Sequence, residues 1–491
     1  MNETNKIYET ILGLYNNRRF KEVEKFYEVI ISEHSDNSKL LNILASSFIQ
    51  NQEYIKAIDI FERLIILVPE QQNINLNLGN LYRLTGNADK AIDQLSKALN
   101  LGDNNFASHY NLALAYQSIQ EFENSINHYE ESLNKLTIHQ KELTEEVGKK
   151  YLEYLISLGK TTKALSKAKE LILKCPKSDT LLGLLGNLYA WKGDITLAID
   201  QYYKALKINK NNKSIKYDLS FCLRKKDRLN DAIDILRDLN YLNSRAFYIE
   251  NLFLNNQKDE FINKLKEACK NYPGNRLLAN LSKFSSILYG FDDDYPFCKE
   301  PFSFIYKKNI LDKGFVDSLT KEIISINIEY SNQDLITNGK QSAGNLFSFN
   351  SKNINNLEKI INQEILNYRD MFRTKDQYFI NNWPKNSFLN SWYIDLMEGG
   401  SLGYHYHHGG WISGSLYLKM PKTENLEEGS IEFSYNSSNY KEKINSLTKV
   451  YKPEVGDIII FPSSLNHRVN PFEGKENENR ISIAFDLVPS I

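Results

Sequence analysis

At 491 residues the chain is longer than one ordinary hydrophobic core organises, and two or three domains are expected. Its 60 Lys and Arg balance 61 Asp and Glu, which argues against a broad electrostatic footprint for nucleic acid or an anionic membrane surface. The opening MNETNKIYET lacks the basic head and apolar stretch of a secretory signal, and no run is long enough to span a bilayer, so a cytoplasmic protein without membrane partners is expected. Cys175, Cys222, Cys269 and Cys298 stand far apart with no CxxC pair, which reads as reduced structural thiols.

The first half of the chain is periodic. Aligning IKAIDIFERLII with DKAIDQLSKALN places Ala57 and Ala91 34 residues apart. The same step reaches back to Val23 and forward to Ser125, and after a five-residue slip it resumes at Ala164, Ala198 and Ala232. Twelve residues before these positions stand mostly small residues (Ala45, Gly79, Ala113, Gly186, Ser220), and four after them bulky ones (Tyr27, Phe61, Leu95, Tyr129). Small residues let two antiparallel helices touch and large ones fill the next layer. Pro69 and Pro176 mark the ends of the second helices. This pattern resembles the tetratricopeptide repeat over residues 1–285. The resemblance implies an all-α superhelix whose concave face binds a peptide or protein, either substrate or adaptor. The slip over NKLTIHQKELTEE predicts a lengthened helix or connection and a break near 135–148. His34, His109, His128 and His139 fall singly in or beside these helices and read as surface or packing residues.

Turn residues, acids and prolines in YGFDDDYPFCKEPF place a linker at 286–302. Beyond it, helices are expected around 311–326 and 353–372, then strands at 391–397, 412–420, 429–436, 456–463 and 480–488. Short strands with close punctuation indicate a sandwich or barrel over 303–491.

Three of the eight histidines crowd into GYHYHHGGWISGSLYLKMP. His405 and His407, two apart on an extended segment, share a face and can reach one ion, while His408 points away to the surface. FPSSLNHRV adds His467. The turn chemistry of NPFEGKENEN predicts that the chain doubles back, bringing Arg480 toward the level of His467, and Arg480 and Ser482 share a face suited to a carboxylate.

Together these fragments resemble the iron(II) and 2-oxoglutarate dependent oxygenases, closest to a branch that reads H.H..GWIS..YY...P and then FPS...H...PF.G..R...AFD..P. QSAGNLF looks like that branch's upstream segment. The resemblance implies an α+β domain with a double-stranded β-helix (jelly-roll) core and an oxygenase that uses Fe(II), 2-oxoglutarate and dioxygen. It implies that His405 and His467 hold the metal, and that Arg480, helped by Ser482, grips the far carboxylate of 2-oxoglutarate. His407 is the third ligand by the same token, although most of the superfamily carries Asp or Glu there. Asp395 and Glu432 are the acids that could swing in instead. Tyr417, Trp392 and Trp411 read as core aromatics, with the Tyr417 hydroxyl able to reach the cosubstrate. Two other readings stay open. A cupin-type metal enzyme fits the histidine spacing but lacks the cupin glutamate, since Trp411 and Ile412 stand there, and leaves Arg480 unexplained. A non-catalytic adaptor with a relic oxygenase domain would not need all three histidines and Arg480.

Overall fold

All seven positions of the 34-residue series lie where helices touch: Val23, Ala57, Ala91, Ser125, Ala164, Ala198 and Ala232 are fully buried. The residues twelve before and four after them meet directly. A Cβ added to Gly79 would lie 2.6 Å from Leu95 Cγ, and one added to Gly186 would lie 2.5 Å from the ring of Tyr202. Backbone approach this close is open only to glycine. The helices end where the prolines predict, at Leu67 and Lys174. Asn37, Asn105, Ser178, Asn212 and Asn275 cap helix starts by accepting from backbone N–H groups one turn in.

The computed structural model describes residues 3–326, 328–331, 333–349, 351–423, 425–473 and 478–490. The chain divides into two compact units, Met1–Tyr151 and Leu152–Ile491. The division falls inside the helix Lys141–Ser157, which at 17 residues outruns the 13- and 14-residue helices before it. The five-residue slip is absorbed there. The first unit is a stack of helix pairs such as Ser38–Gln50 with Tyr54–Leu67 and Gln72–Leu84 with Ala88–Asn100. Its core runs through Leu44, Phe48, Phe61, Leu78 and Leu95. Two of its histidines are not single. His109 and His128 face each other with Nδ1 atoms 3.0 Å apart, and His128 stacks on Tyr116.

In the second unit one core runs from helical residues Phe247, Phe253 and Phe284 through Phe297 to the strand residues Ile412, Ile458 and Ile483. Phe297, in the linker stretch, is fully buried. The expected helices are present as Lys313–Ser325 and Lys352–Phe372. Ten strands follow in chain order: β1 Tyr306–Asn309, β2 Tyr330–Ser331, β3 Ile336–Ser342, β4 Ser387–His405, β5 Ile412–Lys419, β6 Ile431–Ser434, β7 Thr448–Tyr451, β8 Asp457–Pro462, β9 Asn466–Val469 and β10 Arg480–Pro489. They form a curled antiparallel sheet of order β1-β8-β5-β10-β4-β9-β6-β7, with β3 also against β4 and β2 against β3. This strand-rich, jelly-roll-like region follows the helical repeats, as the sequence predicts.

β4 is far longer than the seven-residue strand expected at 391–397, and it joins the two halves of the roll. Its first half pairs with β10 from Ser387 to Leu396, and its far end meets β9 at Leu402 and His405. Between them lies Gly399, at φ +71°, and Gly400, where a Cβ would sit 2.5 Å from Met397 O. The doubling-back expected between His467 and Arg480 is therefore corrected. β9 and β10 do not pair with each other, because each takes a different length of β4, and Arg480 stands opposite Leu396 rather than level with His467. Residues 474–477 of the predicted turn lie outside the described residues.

Candidate metal and acid-binding site

His405 ends β4 and His467 lies on β9, and the two are direct cross-strand partners with ring centroids 4.2 Å apart. His407, two residues past His405, has its ring 5.1 Å from each. One ring nitrogen from each of the three lies within 4.8 Å of the others. The outer nitrogens are already engaged. Nδ1 of His405 meets Gly403 O at 2.9 Å, Nδ1 of His407 meets Asp486 Oδ1 at 2.7 Å, and Nδ1 of His467 meets Leu465 O at 3.3 Å. Each acceptor fixes the proton on Nδ1 and leaves the lone pair of Nε2 for a cation. Burial presses the His405 pKa down to about 3 and that of His467 well below its usual range. Neutral imidazoles are the metal-binding form.

Alternate residues of β10 point into one cavity of about 320 Å³: Arg480, Ser482, Ala484 and Asp486 line it together with the three histidines. Apolar walls come from Leu402, Ile431, Phe461 and Val469. Arg480 is 1% exposed. Its Nε donates to Gly429 O at 3.0 Å, its Nη1 donates to Ser482 Oγ at 3.1 Å, and its guanidinium lies 5.0 Å above the Tyr417 ring. Among the described residues no carboxylate pairs with it. Tyr417 does not line the cavity; it packs beneath Arg480 with its hydroxyl buried, and burial raises its pKa to about 12. A buried cation without a counter-ion is unfavourable until an anion with hydrogen-bonding capacity arrives. The donor set and this cationic end fit a divalent metal and an acidic ligand.

The alternative acids are occupied elsewhere. Glu432 is held by Arg468 and Tyr404, Asp395 by Asn479, and neither lines the cavity. His408 is exposed, lies edge-on to Phe247 with centroids 5.4 Å apart, and lines the cavity rim. Trp411 is buried and donates Nε1–H to Phe379 O at 2.8 Å. Trp392 differs from its reading as a core aromatic: it lines the cavity and stacks on His407 at 5.6 Å. Asp486 has no role in the sequence reading. The period of two in RISIAFD put it on the face of Arg480 and Ser482, but its contact with His407 depends on a segment outside the ladder.

Residues 390–486 match the family described as "Putative 2OG-Fe(II) oxygenase". Residues 79–120 match a TPR repeat and 180–212 a tetratricopeptide repeat. The TPR repeat-containing protein MJ1428 of Methanocaldococcus jannaschii is 26% identical over 229 residues, 45% of this chain and 39% of that protein, so the chain spans about two fifths of the length of this relative. Similar solved structures include Pseudomonas aeruginosa pilF, at 19% identity, TM-score 0.35 and coverage of 43% of this chain and 96% of that one. Another is a Pseudomonas putida prolyl-4-hydroxylase, at 12% identity, TM-score 0.29 and coverage of 38% and 93%. The chain thus carries tetratricopeptide repeats and, over residues 390–486, a domain of 2-oxoglutarate and iron(II) oxygenase type.

Proposed function

We propose that this protein is an Fe(II) and 2-oxoglutarate dependent oxygenase acting on a polypeptide that its helical repeats recruit. The observation that carries the proposal is the pairing, within one cavity, of three imidazoles with a buried arginine that no carboxylate among the described residues pairs with. His405, His407 and His467 would hold the metal through Nε2. Arg480 and Ser482 would bind the distal carboxylate of 2-oxoglutarate, a guanidinium fork and hydroxyl matching its oxygens. Bound there, iron with 2-oxoglutarate supplies the oxidative decarboxylation that activates dioxygen. The chain's own part is to fix the ligands' tautomers through Gly403, Asp486 and Leu465, to orient the diacid, and to keep water away with Leu402, Ile431, Phe461 and Val469.

Substrate access is supported by a second cavity of about 530 Å³ that shares Gln341 and Trp392 with the first. It is walled by Phe388 and, from the helices, Ile156 and Trp191. An extended segment lying there would reach the histidines past Trp392. Anaerobically iron-loaded protein, given 2-oxoglutarate and then air, should release succinate, and Arg480→Ala should abolish the release. No succinate from the wild type would overturn the proposal, and turnover without 2-oxoglutarate would point to the cupin-type reading.

A further inference from the structure

Three imidazole ligands, a divalent metal and Arg480 would leave the cavity with an excess of positive charge. Among the described residues one carboxylate lines it, Asp486. The residue is 7% exposed, and among the described residues its ion-pair partner is His407. Besides His407 Nδ1 at 2.7 Å, Asp486 Oδ1 accepts from Ser413 Oγ at 2.6 Å. Ser413 is in turn joined to Ser463 at 2.8 Å, and the carbonyl of Ser463 accepts the His407 backbone N–H at 3.0 Å. The ring of His407 is thus gripped at its far nitrogen while Trp392 covers its face. Space for the grip is kept by Gly410, where a Cβ would fall 2.7 Å from Ser463 Oγ and 3.0 Å from Asp486 Cγ.

Resting on the metal site proposed above, we infer that Asp486 is a positioning residue that delivers, through the imidazole of His407, the negative charge the three ligands lack. The carboxylate stands one imidazole away from the ion instead of touching it. It aims the ring, holds its proton on Nδ1, and makes Nε2 a stronger donor. Ser413 keeps the carboxylate in line.

The test is a double-mutant cycle on the full-length, metal-free protein, read as Co(II) affinity in competition with a fluorescent chelator. Thermal melts of the metal-free variants serve as the folding control. Asp486→Asn keeps the size and one acceptor but removes the charge, and should weaken Co(II) binding about 10- to 100-fold. Ser413→Ala should weaken it less, in the same direction. In a His407→Asp background the carboxylate touches the metal directly, so adding Asp486→Asn should cost nothing or tighten binding by relieving repulsion. Wild-type affinity in Asp486→Asn, or an equal loss in both backgrounds, overturns the inference and leaves the metal site standing. A wild type that does not bind Co(II) overturns both.

Discussion

Tyr406, the residue between His405 and His407, donates its hydroxyl to Glu250 Oε1 at 3.4 Å, and Glu250 belongs to the repeat-region helix Ser244–Leu254. The Glu250 side chain is fully buried and ion-paired with Arg224, and Tyr440 reaches the same oxygen at 3.3 Å. The segment carrying two of the convergent histidines is therefore tied to the helices packed beside it, through a charge that has no access to water.

Breaking that pair from one side leaves an uncompensated buried charge. Glu250→Ala should destabilise the protein by about 3–5 kcal/mol, whereas replacing both partners, Arg224→Met with Glu250→Leu, should recover most of the loss. Urea unfolding of the two variants checks this, and a double variant no better than the single one refutes it.

Arg480 behaves in the opposite sense, because no carboxylate pairs with it among the described residues. Arg480→Met removes a desolvated charge and should leave the ligand-free thermal midpoint unchanged or raised. With metal present, 2-oxoglutarate at about 100 times its dissociation constant should stabilise the wild type by about 2.7 kcal/mol and leave the variant unmoved. Equal stabilisation of both proteins would show that the diacid binds elsewhere.

Close helix contact in the repeats predicts that two glycines respond differently to the same change. At Gly186 the added methyl meets the Tyr202 ring at 2.5 Å, while at Gly13 nothing lies within 4 Å. Gly186→Ala should cost about 1–3 kcal/mol from overpacking despite its better helix propensity. Gly13→Ala should gain about 0.5–1 kcal/mol. Thermal or urea unfolding measures both; similar shifts would deny the close approach.

Acid should loosen the metal-free protein through the same histidines. In the unfolded chain they take up protons near pH 6.5, but burial keeps His405 neutral down to about 3 and holds His467 well below its usual range. Between those limits the unfolded state binds more protons, so stability is full above about 6.5 and drains away as pH falls through the window. The urea midpoint should drop from pH 6.5 to 4, and drop less steeply in His467→Asn. A slope identical in the two proteins would count against the assignment.

Much of this was legible in the sequence. Ala57, Ala91 and Ala198 announced the helix pairs because a small residue is the physical requirement of a close crossing, and it recurs with the repeat. Isoleucines 458–460, and Ile481 with Ile483, announced buried strands. The strands β1, β2, β3, β7 and β9 were missed, since four residues or fewer, or a polar run such as ITNGKQS, carry no dependable alternation.

What the sequence indicated by itself is a set of residues that line one cavity: His405, His407 and His467, then Arg480 with Ser482, the last two set on one face of β10 by the period of two. That is local geometry, and local spacing specifies it. Which residues meet across the roll was decided only by the tertiary structure. The pairing of β9 and β10 with separate lengths of a glycine-bent β4, the grip of Asp486 on His407, and the link from Tyr406 to Glu250 are contacts between residues up to 156 positions apart. Their register follows from how sheets and helices close over a shared core, and no short-range pattern encodes it.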